Sequence, residues 1–490
     1  MLRTGKEHSE SLRDGRVVYI GDDRVDDVTR HPAFRHAAQT VAALYDMKAD
    51  AANCDVMSYE EDGGRHSIYF LRARSRDDLQ RRMLGHRQIA DFTHGMFGRS
   101  PDHVASFITG MAMKPDALKP PCAHPDNLLA FYRHVRDNDL YTVYAVVPPQ
   151  AARNPEFYQR QNVPVPTLRV VREDDSGVVI SGMKMLATGA VFANEIWIGN
   201  VIPLAPDQKN EAITCAIPCN APGLQLWSRQ PFGCTSEFDA PLAYRYDETD
   251  CMLLCDEVKV PWERVFVHGD ALLSRDIYVN TPSHCFGNHQ SNVRYWSKMR
   301  LLVGLCGKVA QATGADQVPA VRETLGRISS YEAMIAGMVN GQINAFEDWP
   351  GGGYVCFNRR MMYGALEWCT QNYTKFIDEL RELCGGAVFQ MPANISVMRD
   401  ADLARNFLTY WQTPQGDAVT RMKLFKLAWD MVGSEFAGRH LQYEKFYAGA
   451  SFIVRNHAFR ETDWAAFNRT VDDLMATYNY PDHSAEAAAE

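Results

Sequence analysis

The sequence predicts an α+β chain in three parts: a mainly helical start, a β-rich middle and a helical end. Apolar residues recur at helical spacing before about residue 145. Strand-length segments cut by turns follow to about 280, and long helical stretches return from 281. The boundaries fall at 1–145 for a mainly helical N-terminal domain, 146–280 for a compact β-domain, and 281–490 for a helical bundle. At roughly 100–200 residues per domain, 490 residues agree with three.

In order along the chain, Val17–Ile20, the turn Gly21-Asp22-Asp23 and Arg24-Val25 read as strand, turn, strand. Ser75 to Asp78 opens a helix as a capping box, with Leu79, Met83, Ile89, Phe92 and Met96 on one face. A second helix opens at Arg99-Ser100-Pro101-Asp102-His103. Ser100 suits the N-cap, Pro101 the first helical position and Asp102 the positive end of the helix dipole. In the middle part, Thr167–Arg172 and Val178–Lys184 flank the turn Asp174-Asp175-Ser176-Gly177. Further strands are expected at Glu195–Leu204, Ala212–Pro218, Gly223–Trp227 and Met252–Val260, punctuated as in an antiparallel barrel or sandwich. Ser297–Ala312 and Val321–Ala345 predict long helices, and Met422, Phe425, Trp429, Val432 and Phe436 form a core stripe in a bundle. The tail Ala485–Glu490 is expected to fray.

Composition excludes several function classes. The chain is 46% hydrophobic and 23% charged, enough to bury a sizeable core. Its net charge of −9 argues against nucleic acid or an anionic membrane as partner. No apolar run approaches the roughly 18 residues of a membrane span, and the charged first twenty residues lack a secretory apolar core, so a cytoplasmic protein is expected. The twelve cysteines are scattered and read as reduced, mostly buried thiols. Cys215/Cys219 and Cys251/Cys255 are spaced four apart in strand-like segments. That separation, roughly 13 Å along a strand, is too long for two ligands of one metal. There is no G-x-G-x-x-G, Walker A, G-x-S-x-G or H-E-x-x-H motif, and Gly351-Gly352-Gly353 reads as a flexible loop. A redox cofactor here is therefore not held in a Rossmann unit of the chain's own.

Six segments together carry a resemblance: Glu10–Ile20 (ESLRDGRVVYI), Arg24–Phe34 (RVDDVTRHPAF), Gly98–Asp102 (GRSPD), Ala187–Gly189 (ATG), Val260–Phe266 (VPWERVF) and Gly433–His440 (GSEFAGRH). In order and over nearly the whole chain, they resemble the oxygenase component of 4-hydroxyphenylacetate 3-monooxygenase and its phenol-hydroxylating relatives. The resemblance implies an acyl-CoA-dehydrogenase-like fold with an antiparallel β-barrel in the middle, and a homotetramer. It further implies a flavin between the middle and C-terminal domains, with FAD arriving reduced from a separate NAD(P)H:flavin reductase. The implied reaction is hydroxylation of a phenol, ortho to its hydroxyl, with O₂ as co-substrate and a flavin C4a-hydroperoxide as oxygen donor.

Such chemistry needs a cation or donor near the phenolic oxygen and a group that takes its proton. Arg99 and His103, four apart at a helix start, fit that demand. The resemblance places an arginine and a tyrosine at these positions and a histidine at a third. Here the three are Arg99, His103 and Tyr144, so the last two residue types are exchanged. A free histidine titrates near ~6.5 and a tyrosine near ~10, which makes His103 the better proton acceptor at neutral pH and Tyr144 the donor. The helix N-terminus is expected to hold His103 neutral. The exchange puts 4-hydroxyphenylacetate itself in question and points to a modified phenol, a carrier-bound tyrosine derivative or a heteroaromatic.

For the flavin, the resemblance points to Tyr144, Ala145 and Val146, to Gln150 and Arg153, to Thr188, and to Tyr447, Ala448, Gly449 and Ala450. For the substrate ring it points to Asn200 and Val201. His289, Gln290, Arg294 and Lys298 read as one helix, on which Arg294 and Lys298 share either a flavin-phosphate site or a solvated face. The Gly433–His440 segment reads as readily as helix packing or a subunit contact as it does as part of the site, and Arg439 and His440 are not assigned to catalysis. Two rivals share the implied fold, an acyl-CoA dehydrogenase and a 4-hydroxybutyryl-CoA dehydratase. The second needs cluster-ligating cysteines where Arg99 and His103 stand.

Overall fold

The structure is a computed structural model that describes residues 2–233 and 236–478; the expected fraying of Ala485–Glu490 lies outside the described residues. The α, β, α order holds as a mixed helix-and-sheet molecule, but the sheets differ from expectation. Ten strands form two separate sheets. The larger runs Asp23–Val25, Val18–Ile20, Leu224–Ser228, Asp250–Pro261, Gly177–Thr188, Arg169–Asp174. The smaller runs Val265–His268, Ile213–Pro218, Glu195–Ile198, Thr142–Ala145. Neither pairing order returns on itself, so the expected closed antiparallel barrel is replaced by two open sheets.

Two strands that arrive from the helical N-terminal segment also break the expected antiparallel pattern. Val18–Ile20 pairs with Leu224–Ser228, and Thr142–Ala145 with Glu195–Ile198, both in parallel. Parallel neighbours require a crossover and cannot come from a hairpin meander. Inside the larger sheet the long strands Gly177–Thr188 and Asp250–Pro261 pair antiparallel, with register breaks between Cys251 and Leu253 and between Cys255 and Val258. The expected Val17–Val25 hairpin forms the sheet edge.

Two buried helices carry the functional region. Pro101–Ala112 is buried along its whole length, its polar Asp102, His103, Ser106 and Thr109 included. It crosses Ser283–Thr313, a longer helix than the expected Ser297–Ala312. Two glycines set the approach. A Cβ at Gly110 would run into the Ser283 backbone, and one at Gly287 into the Phe107 ring. Pro101 does occupy the first helical turn, but the Ser100 hydroxyl makes no capping bond; it donates to Asp102 Oδ1 at 2.5 Å. Ser75 caps its helix, accepting from the Asp78 amide at 3.1 Å, but the expected capping box is only half made, since Asp78 Oδ2 accepts from the Arg74 amide at 2.9 Å rather than from that of Ser75.

The C-terminal part is built from Ser283–Thr313, Pro319–Asn344, Arg359–Cys384, Ala418–Val432 and Glu435–Lys445, followed by shorter helices. Met422, Phe425, Val432 and Phe436 are buried as expected, while Trp429 is half-buried. Gly351-Gly352-Gly353 is the turn of a small hairpin between Glu347–Trp349 and Tyr354–Cys356, with Gly351 and Gly353 at positive φ. The described cysteines are free, and Cys215, Cys219, Cys251 and Cys255 are buried thiols. Among the described residues no helix is long and apolar enough to cross a membrane.

Candidate active site

Arg99 and His103 come together as their spacing predicts, one helical turn apart. Arg99 Nη1 donates to His103 Nε2 at 2.9 Å, and Nη2 donates to the Tyr447 carbonyl at 2.9 Å. Both residues are buried, at 8% and 1% exposure. The Arg99 backbone is held from both sides. Its N–H donates to Glu248 Oε2 at 2.9 Å, and its carbonyl accepts from the Tyr141 hydroxyl.

Aromatic rings wall the pair. The Arg99 guanidinium lies 4.0 Å from the Tyr447 ring centre and 5.2 Å from that of Tyr144. The His103 ring stands 5.2 Å from Phe107, 5.7 Å from Tyr144 and 6.0 Å from Tyr447. Phe107 also reaches Tyr278 and His284, extending the aromatic wall.

Electrostatics set the protonation states. Burial first, and the Arg99 charge second, push His103 well below its ordinary value, so it is neutral at physiological pH. The helix N-terminus, the expected cause, is not needed. Burial works against the Arg99 charge, but Tyr144, Tyr443, Tyr447 and Glu248 outweigh it and keep Arg99 protonated. Burial raises Tyr144, which stays a phenol and a donor.

His103 Nδ1 faces Gln290 Oε1 at 2.9 Å. Gln290 Nε2 in turn faces Ser100 Oγ and Asp102 Oδ1, each at 3.3 Å. Gln290, Arg294 and Lys298 form a polar ladder down one face of Ser283–Thr313. The lower two are neither solvated nor available to phosphate. Arg294 binds Glu444 through both nitrogens, at 2.5 and 2.7 Å, and Lys298 binds Glu444 at 2.8 Å and His440 at 3.0 Å.

The remaining expected residues separate into two groups. Ala145 and Val146 are buried beside Tyr144 at the end of the strand Thr142–Ala145. Gln150 and Arg153 sit exposed on the next turn, and among the described residues Arg153 makes no ion pair. Tyr447 donates to the Gly98 carbonyl at 2.7 Å, and Ala448, Gly449 and Ala450 lead from it into the helix Ser451–Arg460. This donor set fits FAD: a free guanidinium for phosphate, a polar turn, and aromatic rings at the buried end. Thr188 and Asn200 are committed elsewhere. Thr188 Oγ1 donates to Asp250 Oδ1 at 2.6 Å. Asn200 Oδ1 accepts from Lys184 at 2.9 Å, and Val201 is exposed. No contact joins Asn200 or Val201 to Arg99 or His103 among the described residues.

Sequence reasoning passed over Phe107, Glu248 and the polar role of Gln290. Phe107 was readable as the next step of the Arg99, His103 spacing. Glu248 carried no local signal, since its partners Arg99 and Arg439 lie far off in sequence.

Comparison with known proteins agrees along the chain. The N-terminal profile of 4-hydroxyphenylacetate 3-hydroxylase matches residues 4–267, and the C-terminal profile matches residues 274–476. The chain belongs to the 4-hydroxyphenylacetate 3-hydroxylase family. It is 33% identical over 455 residues to the 4-hydroxyphenylacetate 3-monooxygenase oxygenase component of Thermus thermophilus, covering 92% of each. It is 32% identical to a pyoverdin chromophore biosynthetic protein of Pseudomonas aeruginosa, over 93% of this chain and 90% of that one. A crystal structure of the oxygenase component of 4-hydroxyphenylacetate 3-monooxygenase, complexed with FAD and 4-hydroxyphenylacetate, superposes with a TM-score of 0.90 at 29% identity, covering 97% of this chain and 98% of that one. An archaeal 4-hydroxybutyryl-CoA dehydratase from N. maritimus shares the fold, with a TM-score of 0.86 at 21% identity, over 98% and 96% of the two chains. Among the described residues no group of three or more His, Cys, Asp or Glu is arranged to hold a metal ion.

Proposed function

We propose that the chain is the oxygenase component of a two-component aromatic monooxygenase, hydroxylating a phenol or related aromatic next to its hydroxyl. The observation that carries this reading is the buried Arg99–His103 pair, a fixed cation donating to a neutral imidazole inside an aromatic wall. The family assignment and the relatives' FAD complexes support FAD and O₂ as its cofactor and co-substrate. Reduced FAD, when bound, supplies the electrons that activate O₂. One oxygen atom enters the ring and the other leaves as water.

The chain's own residues do the rest. The phenolic oxygen takes the place of one partner in the Arg99–His103 pair. Arg99 Nη1 turns to donate to that oxygen, and His103 Nε2 accepts its hydrogen. Loss of that hydrogen enriches the ring in electrons at the carbon beside the hydroxyl, and Arg99 stabilises the negative charge that develops on the oxygen. Tyr144, kept protonated by burial, adds a donor from the next wall. Tyr447 and Phe107 exclude water. Gln150 and Arg153 receive the phosphates. The absence of a Rossmann motif supports a separate NAD(P)H:flavin reductase as the source of reduced FAD, and a homotetramer in the cytoplasm follows the family pattern.

The test is O₂ uptake with FAD, a flavin reductase, NADH and a panel of phenols and indoles, with mass analysis of products. His103→Phe should keep FAD affinity and divert O₂ to hydrogen peroxide, with product falling about 10²-fold or more. Unchanged product yield removes His103 from the reaction.

A further inference from the structure

Neutral imidazole carries one proton, and only the nitrogen without it can accept from a phenol. His103 therefore serves the proposed reaction only in the form protonated at Nδ1. Three buried contacts bear on that choice. Arg99 has donors alone, so His103 Nε2, 2.9 Å from Arg99 Nη1, must be the acceptor. On the other side Nδ1 meets the Gln290 amide at 2.9 Å, and an amide can present either an oxygen or an NH₂.

What settles the amide is Asp102. Its Oδ1 lies 3.3 Å from the far end of Gln290 and is the oxygen that takes the Ser100 hydroxyl hydrogen, so it stands there as an acceptor. That end of Gln290 is therefore the NH₂, which turns the oxygen to His103 and requires a proton on Nδ1. Asp102 is in turn held in its acceptor role. Ser100 Oγ donates to the same Oδ1 at 2.5 Å, and His86 Nδ1 lies 2.7 Å from Oδ2. Ser106 spends its hydrogen on the Asp102 carbonyl at 2.7 Å and receives from Arg82 at 2.9 Å. Asp102, His86, Ser106 and Arg82 are all essentially without solvent exposure, so water does not compete for these bonds.

We infer that Asp102 and Gln290 are positioning residues that fix the His103 proton on Nδ1 and leave Nε2 free to accept. The chain of donors runs His103 Nδ1–H to Gln290 Oε1, and Gln290 Nε2–H to Asp102. This inference rests on the reading of His103 as the acceptor for its purpose, but not for its test.

Magic-angle-spinning NMR of the full-length protein labelled with ¹⁵N-histidine reads which ring nitrogen is bare. The His103→Phe difference spectrum assigns the signal. The wild-type His103 is expected to show a protonated Nδ1 and a bare Nε2 at pH 7.5. Arg99→Met removes the donor that faces Nε2, and its spectrum should still show a bare Nε2, held by Gln290 and Asp102 alone. In that background Asp102→Asn places an NH₂ where Oδ1 was, because His86 still needs an oxygen at the other position. Gln290 should then flip, and the bare nitrogen should move to Nδ1. Gln290→Leu in the same background removes the acceptor and should give a mixture of the two forms. A bare Nδ1 in the wild type or in Arg99→Met overturns the inference, as does an unchanged spectrum in a folded Arg99→Met/Asp102→Asn protein. Product yield separates the two claims. If Arg99→Met/Asp102→Asn inverts the spectrum while His103→Phe keeps the product yield of the wild type, the relay stands and the role of His103 in the reaction falls.

Discussion

Arg99 makes two side-chain bonds that a lysine cannot make together, one to the His103 ring and one to the Tyr447 carbonyl. A lysine would keep the charge but lose the fork, so Arg99→Lys should cost roughly 1.5–3 kcal/mol of binding, about 10–100-fold in kcat/KM for the aromatic substrate. FAD affinity, measured by titration of the reduced cofactor, should change little. Loss of FAD affinity instead would place Arg99 on the cofactor side. At this scale the sequence was informative where chemistry and spacing coincided. Arg99 and His103 share one turn of a helix that Pro101 marks, so their meeting was legible. Thr188 and Asn200 were singled out by the resemblance rather than by any local pattern, and their hydroxyl and amide go to Asp250 and Lys184. Asp250 lies on the strand paired with that of Thr188, and Lys184 on a strand of the sheet to which the strand before Asn200 does not belong, so nothing local announces them.

Between elements, the helix Glu435–Lys445 is pinned to Ser283–Thr313 by one carboxylate. Burial disfavours the Glu444 charge, but Arg294 and Lys298 overcome it and bring the group down to about 2, while burial brings Lys298 down to about 8. A carboxylate lowered from its usual value near 4.5 contributes stability that is complete above that pH and lost as pH falls toward 2. Glu444→Gln should therefore destabilise by roughly 3–5 kcal/mol at pH 7, leaving two buried cations short of a partner. In urea denaturation the gap between wild type and variant should stay constant from pH 7 to about 5 and narrow below about 4.5. A gap that does not narrow would show that Glu444 is not the titrating group. Helix and strand identities were largely legible from periodicity, and the long strands and helices fell near their expected places. Sheet closure was not. Whether Val18–Ile20 and Thr142–Ala145 add in parallel to sheet edges depends on partners some fifty to two hundred residues away, and a hydrophobic pattern fixes a strand's face without naming its neighbour.

Across the whole molecule, His8, His103, His289 and His440 are all pushed well below their ordinary value, burial being the first cause at each. Each is neutral when folded and takes a proton near 6.5 only when unfolded, so the unfolded chain binds more protons in acid. Stability is then fully present above about 6.5 and falls below it, each histidine contributing up to about 1.4 kcal/mol per pH unit. The urea midpoint should drop between pH 6.5 and 5. A midpoint flat to pH 5 would mean these rings find protons in the folded state. A second whole-molecule device joins the three sequence segments in one buried contact. Arg439, from the C-terminal part, donates to Glu248 at 2.9 Å and to Asp250 at 2.7 and 3.0 Å, and Glu248 accepts the Arg99 amide at 2.9 Å. Asp250 retains Arg229 as a second cation at 2.8 Å, whereas Glu248 has no other ion-pair partner among the described residues. Arg439→Met should thus strand Glu248 more than Asp250, costing about 3–5 kcal/mol. Adding Glu248→Gln to Arg439→Met removes the stranded charge, so the double variant should be more stable than the single one. The coupling in the double-mutant cycle is expected to exceed about 1 kcal/mol. Simple additivity would mean that the three segments are held by packing alone and that the Arg99 backbone does not depend on the C-terminal helix.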